Sequence, residues 1–228
     1  VMFKKLLVLV ALAFFASSGT ICFASVEQSA NTLYPADITL PRDARVTEDL
    51  LYDWKVLGPM VVEPHLFEGY VGKRALDSPP YAPVNAWRRS DPPSMTFEDK
   101  EYHWIDVDHP YERVYVGYRP FIPGGLMPHH SVMFMHNTVH TNEELENVQI
   151  LFGCDDYCRI YINGKAIAEY NARVRGFKRD ESQSEAFTLQ PGTHTIVVKL
   201  ANSGGGAGFG MRFVDDEGRA IRVGAPSD

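Results

Sequence analysis

Two acidic residues between two cysteines are the part of the sequence best suited to chemistry. The stretch LFGCDDYCRIYINGK, residues 151–165, places Asp155 and Asp156 between Cys154 and Cys158. Such carboxylates could hold calcium or accept hydrogen bonds from the amides of a turn. Adjacent residues on a tight turn do not give the carboxyl separation of about 5 Å or more that a glycosidase needs. A structural turn is the favoured interpretation. Calcium bound by Asp155 and Asp156 stays open as a candidate cofactor.

The two cysteines around this turn predict a disulfide. A third cysteine, Cys22, belongs to a predicted signal peptide, which leaves Cys154 and Cys158 as an even pair. The spacing, without further cysteines, is not typical of a zinc ribbon. We therefore expect a Cys154–Cys158 disulfide across a three-residue loop.

Histidines form a second group of candidate ligands in the segment MPHHSVMFMHNTVH, which carries His129, His130, His136 and His140. The last three share one face of a regular strand. His136 and His140 would lie about 13 Å apart along that strand, too far for one metal without a bend. Surface or hydrogen-bonded histidines are therefore the favoured interpretation, and a transition-metal site is the alternative.

The amino-terminal residues predict export. Lys4 and Lys5 precede an apolar run, and Cys22-Phe23-Ala24 fits a cleavage site, so we expect a signal peptide over residues 1–24. Removing its two lysines takes the formal charge from -7 to -9. An acidic protein is a poor partner for nucleic acid. We expect a secreted, periplasmic or envelope protein that is not stably inserted in a membrane after cleavage.

Short strands separated by turn signals fill the remainder of the chain. Residues 25–48 read as an arm or linker, and about ten short strands within 49–228 predict one all-β domain, an antiparallel β-sandwich. Asn163-Gly164 predicts a hairpin, and residues 151–163 would form another around the Asp-Asp turn. TNEELENV near residue 141 is the strongest helical candidate. Alternation predicts that five residues point inward: Ile160, Ile162, Ile196, Val198 and Phe213.

A proline-rich excursion over residues 61–97 interrupts the strands and carries Tyr70, Tyr81 and Trp87. Long loops on a rigid scaffold often carry binding residues. A proline-stiffened lid over one sheet is the equally weighted structural alternative.

Several motifs resemble the galactose-binding-like jelly-roll domains of secreted bacterial proteins. They are WKVLGPM, GCDDYCRIYINGKAIAEYNARVRG and FTLQPGTHTIVVKLANSGGGAGFGMRFVDDEGRAI, within about residues 54–223. The Asp-Asp turn is also similar to that of protective-antigen-type lectin domains, in which paired aspartates can hold calcium that in turn holds sugar. The chain departs from these patterns where serine, valine, glycine and tryptophan are usual, at Cys154, Cys158, Tyr157 and Ala207.

The resemblance implies a secreted, non-catalytic carbohydrate-binding module. Rings would stack on sugar faces, and carboxylates or amides would bind hydroxyls. The candidate ligand-binding residues are Asp155, Asp156, Tyr157, Asn163, Trp87 and Tyr81. The expected partner is a glycan or an envelope protein. The alternative function is a structural or protein-interaction module of the cell envelope that binds no sugar.

Overall fold

The computed structural model describes residue 51 and residues 54–81, 94–107, 114–115 and 128–224. The predicted signal peptide, the predicted arm and Trp87 lie outside the described residues. Within them the chain is an all-β sandwich, as predicted. Its strands are β1 (Trp54–Val61), β2 (Met95–Phe97), β3 (Lys100–Tyr102), β4 (Ile105–Val107), β5 (Val114–Tyr115), β6 (Ser131–Thr141), β7 (Leu145–Asp155), β8 (Tyr157–Ile162), β9 (Lys165–Tyr170), β10 (Ser182–Gln183), β11 (Phe187–Leu189), β12 (Gly192–Asn202) and β13 (Gly208–Val214).

Two antiparallel sheets form the sandwich. The first has the order β4-β1-β6-β12-β8-β9. The second has the order β10-β7-β13-β5, and β11 also pairs with β7. Strands β2 and β3 form a separate hairpin. The four longest strands are β6, β7, β12 and β1. Each has a hydrogen-bonded strand on both sides, so most of their backbone groups are paired.

The core between the sheets follows the predicted alternation. All five residues predicted to point inward are buried in one apolar cluster: Ile160, Ile162, Ile196, Val198 and Phe213. Trp54 packs edge-on against Phe209 across this core, with ring centroids 5.7 Å apart. Burying each such side chain contributes about 1.5–3 kcal/mol, so this layer accounts for much of the stability of the fold.

A second apolar layer covers the outer face of the first sheet. Residues 62–81, here called the covering segment, contain a 3-10 helix at Pro64–Tyr70, interrupted at Glu68 and Gly69, and the short helix α1 at Lys73–Asp77. Phe67 and Leu76 of this segment pack with Phe134 of β6. Strand β6 is therefore buried on both faces along almost its whole length, which explains the continuous apolar run at residues 132–135.

The sequence-based helix is wrong. Residues 142–144 form a turn, and β7 begins at Leu145. The polar residues there serve the connection between two long strands, whereas the helix lies in the proline-rich excursion. The described part of that excursion is a cover over one sheet, which matches the structural alternative.

Candidate functional site

The Asp155–Asp156 turn, here called the arch, crosses from one sheet to the other. Strand β7 ends at Asp155 in the second sheet, and β8 begins at Tyr157 in the first. Cys154 is paired with Phe209, whereas Cys158 is paired with Leu200 and Tyr170. The predicted hairpin around this turn is therefore wrong, because each flanking strand finds its partners far along the chain. The second predicted hairpin, between β8 and β9, is confirmed, with positive φ at Asn163 and Gly164.

The two aspartates of the arch have different environments. Asp156 is 2% exposed, and its Oδ2 accepts hydrogen bonds from the Ser203 amide at 2.8 Å and the Ser203 hydroxyl at 2.6 Å. Asp155 is half-buried on the outer side of β7. Asp156 therefore fixes the arch to the loop after β12, while Asp155 remains partly accessible to a ligand.

The loop that follows β12, residues 203–207, is the neighbour of the arch. Gly205 has φ +82°, a backbone conformation that glycine adopts at little cost. A Cβ at Gly204 would lie 2.5 Å from Nδ1 of His129, so the imidazole packs directly on the glycine. The His130 amide donates to the Ser203 carbonyl at 3.3 Å. These contacts bring His129 and His130 to the same end of the sandwich as the arch.

A basic connection between β9 and β10, residues 171–181, passes beside the arch and is here called the strap. The Arg175 guanidinium lies 3.4 Å from the Tyr170 ring centroid and donates to the Cys154 carbonyl at 3.2 Å. A Cβ at Gly153 would lie 2.1 Å from the Lys178 carbonyl oxygen, so the strap packs on β7 at a position only glycine allows. Arg175 also donates to the Ser182 hydroxyl at 3.0 Å. The strap is therefore fixed to the last residues before Asp155.

The cysteines are free thiols, both fully buried in the core beneath the arch. Burial raises the pKa of Cys154, but the hydrogen bond with Cys158 and the charge of Arg175 outweigh burial and lower it. The Arg175 guanidinium donates to Sγ of Cys154 at 3.3 Å. Burial and the neighbouring Cys154 raise the pKa of Cys158 well above its ordinary value. The thiols meet across the two sheets rather than across a hairpin, and their oxidation to a disulfide stays a prediction.

Two residues predicted to bind sugar do not join Asp155 in an accessible site. The Tyr157 side chain is fully buried beneath the covering segment, and its hydroxyl has no hydrogen-bond partner among the described residues. Burial, with added repulsion from Asp156 and Tyr170, raises the pKa of Tyr157 to about 12. Its ring therefore offers no face to a sugar. Asn163 lies at the opposite end of β8 from the arch, where its Oδ1 accepts from the Thr195 amide at 3.0 Å, so it cannot complete a site with Asp155.

Tyr81 is the remaining described candidate and lies on another part of the surface. It is 60% exposed, and its hydroxyl donates to the Asp77 carbonyl at 3.0 Å. Its ring centroid is 5.6 Å from Nζ of Lys199, which lies four residues, or about 13 Å along β12, from Ser203. Tyr81 therefore covers the amine of Lys199 and does not lie beside the arch.

The buried amine of Lys199 and its contacts were not predicted from the sequence. Lys199 is 2% exposed and donates to the carbonyls of Leu76 at 3.1 Å and Ser78 at 2.5 Å. Arg159, its neighbour on β8, pairs with Asp77 at 2.6 Å and with Glu169. These bonds attach α1 to the first sheet. A lysine inside the apolar strand HTIVVKLA is the one sequence signal that points to such a contact.

The histidines are distributed along β6 rather than gathered. His130 precedes the strand, His136 is buried with its ring 5.8 Å from that of Trp104, and Nδ1 of His140 lies 3.2 Å from the Thr193 hydroxyl. Among the residues that the structure describes, no three His, Cys, Asp or Glu side chains are grouped to hold a metal ion. In the same part of the chain, no helix is long and apolar enough to cross a membrane.

Calcium fits the arch in donor type but not in donor number. Asp155 and Asp156 supply the hard carboxylate oxygens that calcium prefers, and one of these oxygens is already bound by Ser203. Calcium takes about six to eight oxygen ligands. The side chains present would hold such an ion only with further oxygens from the backbone, water or a ligand.

Comparisons with known proteins found partial structural likenesses. No family model and no curated protein matches the chain. A PA14 sugar-binding domain from an RTX adhesin is 22% identical over 42% of this chain, with a TM-score of 0.32, and the PA14 domain of the MpAFP antifreeze protein is 17% identical, also with a TM-score of 0.32. The matches span about half of those two chains, 51% and 48%. A GH2 beta-galacturonidase from Eisenbergiella tayi bound to glycerol is 11% identical over 74% of this chain and 26% of its own, with a TM-score of 0.37.

Proposed function

We propose that this domain binds carbohydrate, without catalysing a reaction, at the end of the sandwich that carries the arch. The observation that carries the proposal is the difference in burial and hydrogen bonding between the two aspartates. Asp156 is buried and anchored by Ser203, while Asp155 is half-exposed beside it. A rigid backbone that holds a partly accessible carboxylate in a fixed position suits recognition of a hydroxyl-rich ligand.

Other polar groups lie at the same end of the sandwich as this carboxylate. His129 is exposed on the glycine loop, and Asn171 and the cationic strap begin where β9 ends. These groups offer both donors and acceptors, which matches the mixed hydrogen-bonding character of a sugar. A hydrolytic role is disfavoured, because two consecutive carboxylates, one of them bound by Ser203, do not flank a glycosidic bond.

A glycan array followed by calorimetric titration of the best ligand tests the proposal. We expect Asp155→Asn to abolish or strongly weaken binding while the melting temperature changes little. Asp216→Asn is the matched control, because Asp216 is an exposed aspartate in the turn beyond the far end of β13. Repeating the titration with calcium and with EDTA shows whether the carboxylates bind the sugar directly or through the ion.

Failure of the folded domain to bind any glycan would overturn the proposal. A specific envelope protein recovered in a pull-down under the same conditions would then favour the structural or protein-interaction alternative. Equal loss of binding in Asp155→Asn and Asp216→Asn would also contradict it, because a general charge effect would then replace the arch as the cause.

A further inference from the structure

The strap concentrates positive charge in an otherwise acidic protein. Residues 171–181 contain four cationic side chains, at Arg173, Arg175, Lys178 and Arg179, against two acidic ones, Asp180 and Glu181. The whole chain has a formal charge of -7. A local excess of cations on such a background produces a positive potential that attracts anions to this part of the surface.

Two of these cations are not used by the fold. Arg175 pairs with Glu181 at 3.2 Å, and Arg179 pairs with Asp180 at 3.5 Å. Arg173 and Lys178 are exposed, and neither forms an ion pair with any residue that the structure describes. Within the described part of the chain, their charges are therefore available to an external partner.

The strap and the arch belong to one surface. Gly153 and Asp155 are two residues apart on β7, so they lie on the same outer face, about 7 Å apart along the strand. The strap packs on Gly153 through the Lys178 backbone and is bound to the Cys154 carbonyl through Arg175. The Lys178 backbone is thus held beside the β7 residue two positions before Asp155, and Arg173 lies two residues before the anchored Arg175.

Resting on the proposed carbohydrate function, we propose that the ligand is an acidic glycan, with a carboxylate or sulfate group bound by Arg173 and Lys178. The carboxylates of the arch would repel an anionic group and accept bonds from sugar hydroxyls instead. The free cations of the strap supply the complementary contact for the anion. The surface therefore recognises a ligand with hydroxyls on one side and a negative charge on the other.

The test compares acidic oligosaccharides with their neutral counterparts on the full chain. An array carries uronate-bearing and sulfate-bearing oligosaccharides beside matched neutral ones, and calorimetry then uses tetragalacturonate, a sulfated tetrasaccharide and a neutral galactose tetrasaccharide. We expect one acidic class to bind more tightly than the neutral one. Exchanging Arg173 and Lys178 together for glutamine should weaken acidic binding by about two- to thirty-fold, the range for two exposed ion pairs.

A matched variant controls for general charge. Lys165 is an exposed lysine at the opposite end of β9, so Lys165→Gln should leave acidic binding unchanged. Added salt should weaken acidic binding by the wild type more than by the doubly substituted protein, since exposed charges are screened. Melting temperatures of all variants confirm that they are folded.

The outcomes separate this inference from the function on which it rests. Neutral and acidic ligands that bind equally, with binding that depends on Asp155 but not on Arg173 and Lys178, would contradict the inference. That result would still support carbohydrate binding. Binding of no glycan of either kind would overturn both. The inference also fails if Lys165→Gln weakens acidic binding as much as the double exchange.

Discussion

Lys199 donates a hydrogen bond to the carbonyl of Ser78 at 2.5 Å and so joins the middle of β12 to the residue that directly follows α1. The amine is buried between the first sheet and the covering segment, where Arg159 lies beside it. Burial, reinforced by the charge of Arg159, lowers the pKa of Lys199 from 10.5 to about 7. Nearby Asp77 only partly opposes this.

This lowered pKa predicts a specific pH dependence of stability. Between about pH 7 and 10.5 the unfolded chain binds a proton at Lys199 that the folded chain does not, so the free energy of unfolding should rise with pH, by at most about 1.4 kcal/mol per unit. Below pH 7 both states are protonated, and the contribution becomes constant. Urea unfolding at several pH values should show this slope in the wild type and its loss in Lys199→Met. The exposed lysine change Lys165→Met should keep it, and parallel wild-type and Lys199→Met profiles would contradict the assignment.

Gly72 allows the covering segment to lie flat on Tyr157. A Cβ at Gly72 would lie 2.1 Å from Cγ of the buried Tyr157 ring. Gly72→Ala should therefore force the segment away from the sheet and lower the free energy of unfolding by about 1–3 kcal/mol. Gly176→Ala is the control, because no atom lies within 4 Å of the added carbon. Equal melting temperatures for the two variants would show that the segment does not pack on Tyr157 as described.

The alternating strands were predictable because a two-residue period has one physical meaning when one face is buried. Ile160 and Ile162 point inward, and Arg159 and Tyr161 between them point away from the inter-sheet core. The Asn163-Gly164 hairpin was predictable for a related reason, since both residues tolerate positive φ. Local sequence determined these features directly.

The arch and the buried lysine depend on pairing between distant parts of the chain. A short turn between two strands fits a hairpin or a crossing between sheets equally well, and only the pairing of Cys158 with Leu200 decides between them. Lys199 occupies an outward position of β12, which alternation alone makes exposed. It is buried because α1, more than 120 residues earlier, covers it. The approach of the strap to Gly153 has the same long-range origin.

The buried thiols predict that oxidation joins the two sheets beneath the arch. Because both thiols are fully buried in the folded protein, the exchange should take place during refolding, when the Cys154 thiolate can attack oxidised glutathione and release one glutathione thiol. Cys158 then loses its proton and displaces the second glutathione. Peptide mapping should find the Cys154–Cys158 bond, with a mass lower by two hydrogen atoms, after refolding in a glutathione redox buffer.

Alkylation before and after reduction reads the oxidation state of the two cysteines. Both thiols alkylated in full after oxidative refolding of the wild type would contradict the predicted disulfide.

The bond between Asp156 and Ser203 predicts the largest energetic effect at the arch. Asp156→Ala would leave the Ser203 amide and hydroxyl without their acceptor in a part-buried position, which costs about 1–3 kcal/mol. Ser203→Ala removes only the hydroxyl and should cost less. The double variant should be less destabilised than the sum of the two, since both single changes break the same bond. Chemical unfolding of the four proteins measures this coupling. Additive effects of Asp156→Ala and Ser203→Ala would show instead that the arch is not held by this contact. Calcium-dependent stabilisation that disappears in Asp156→Asn would show that the carboxylate holds an ion as well.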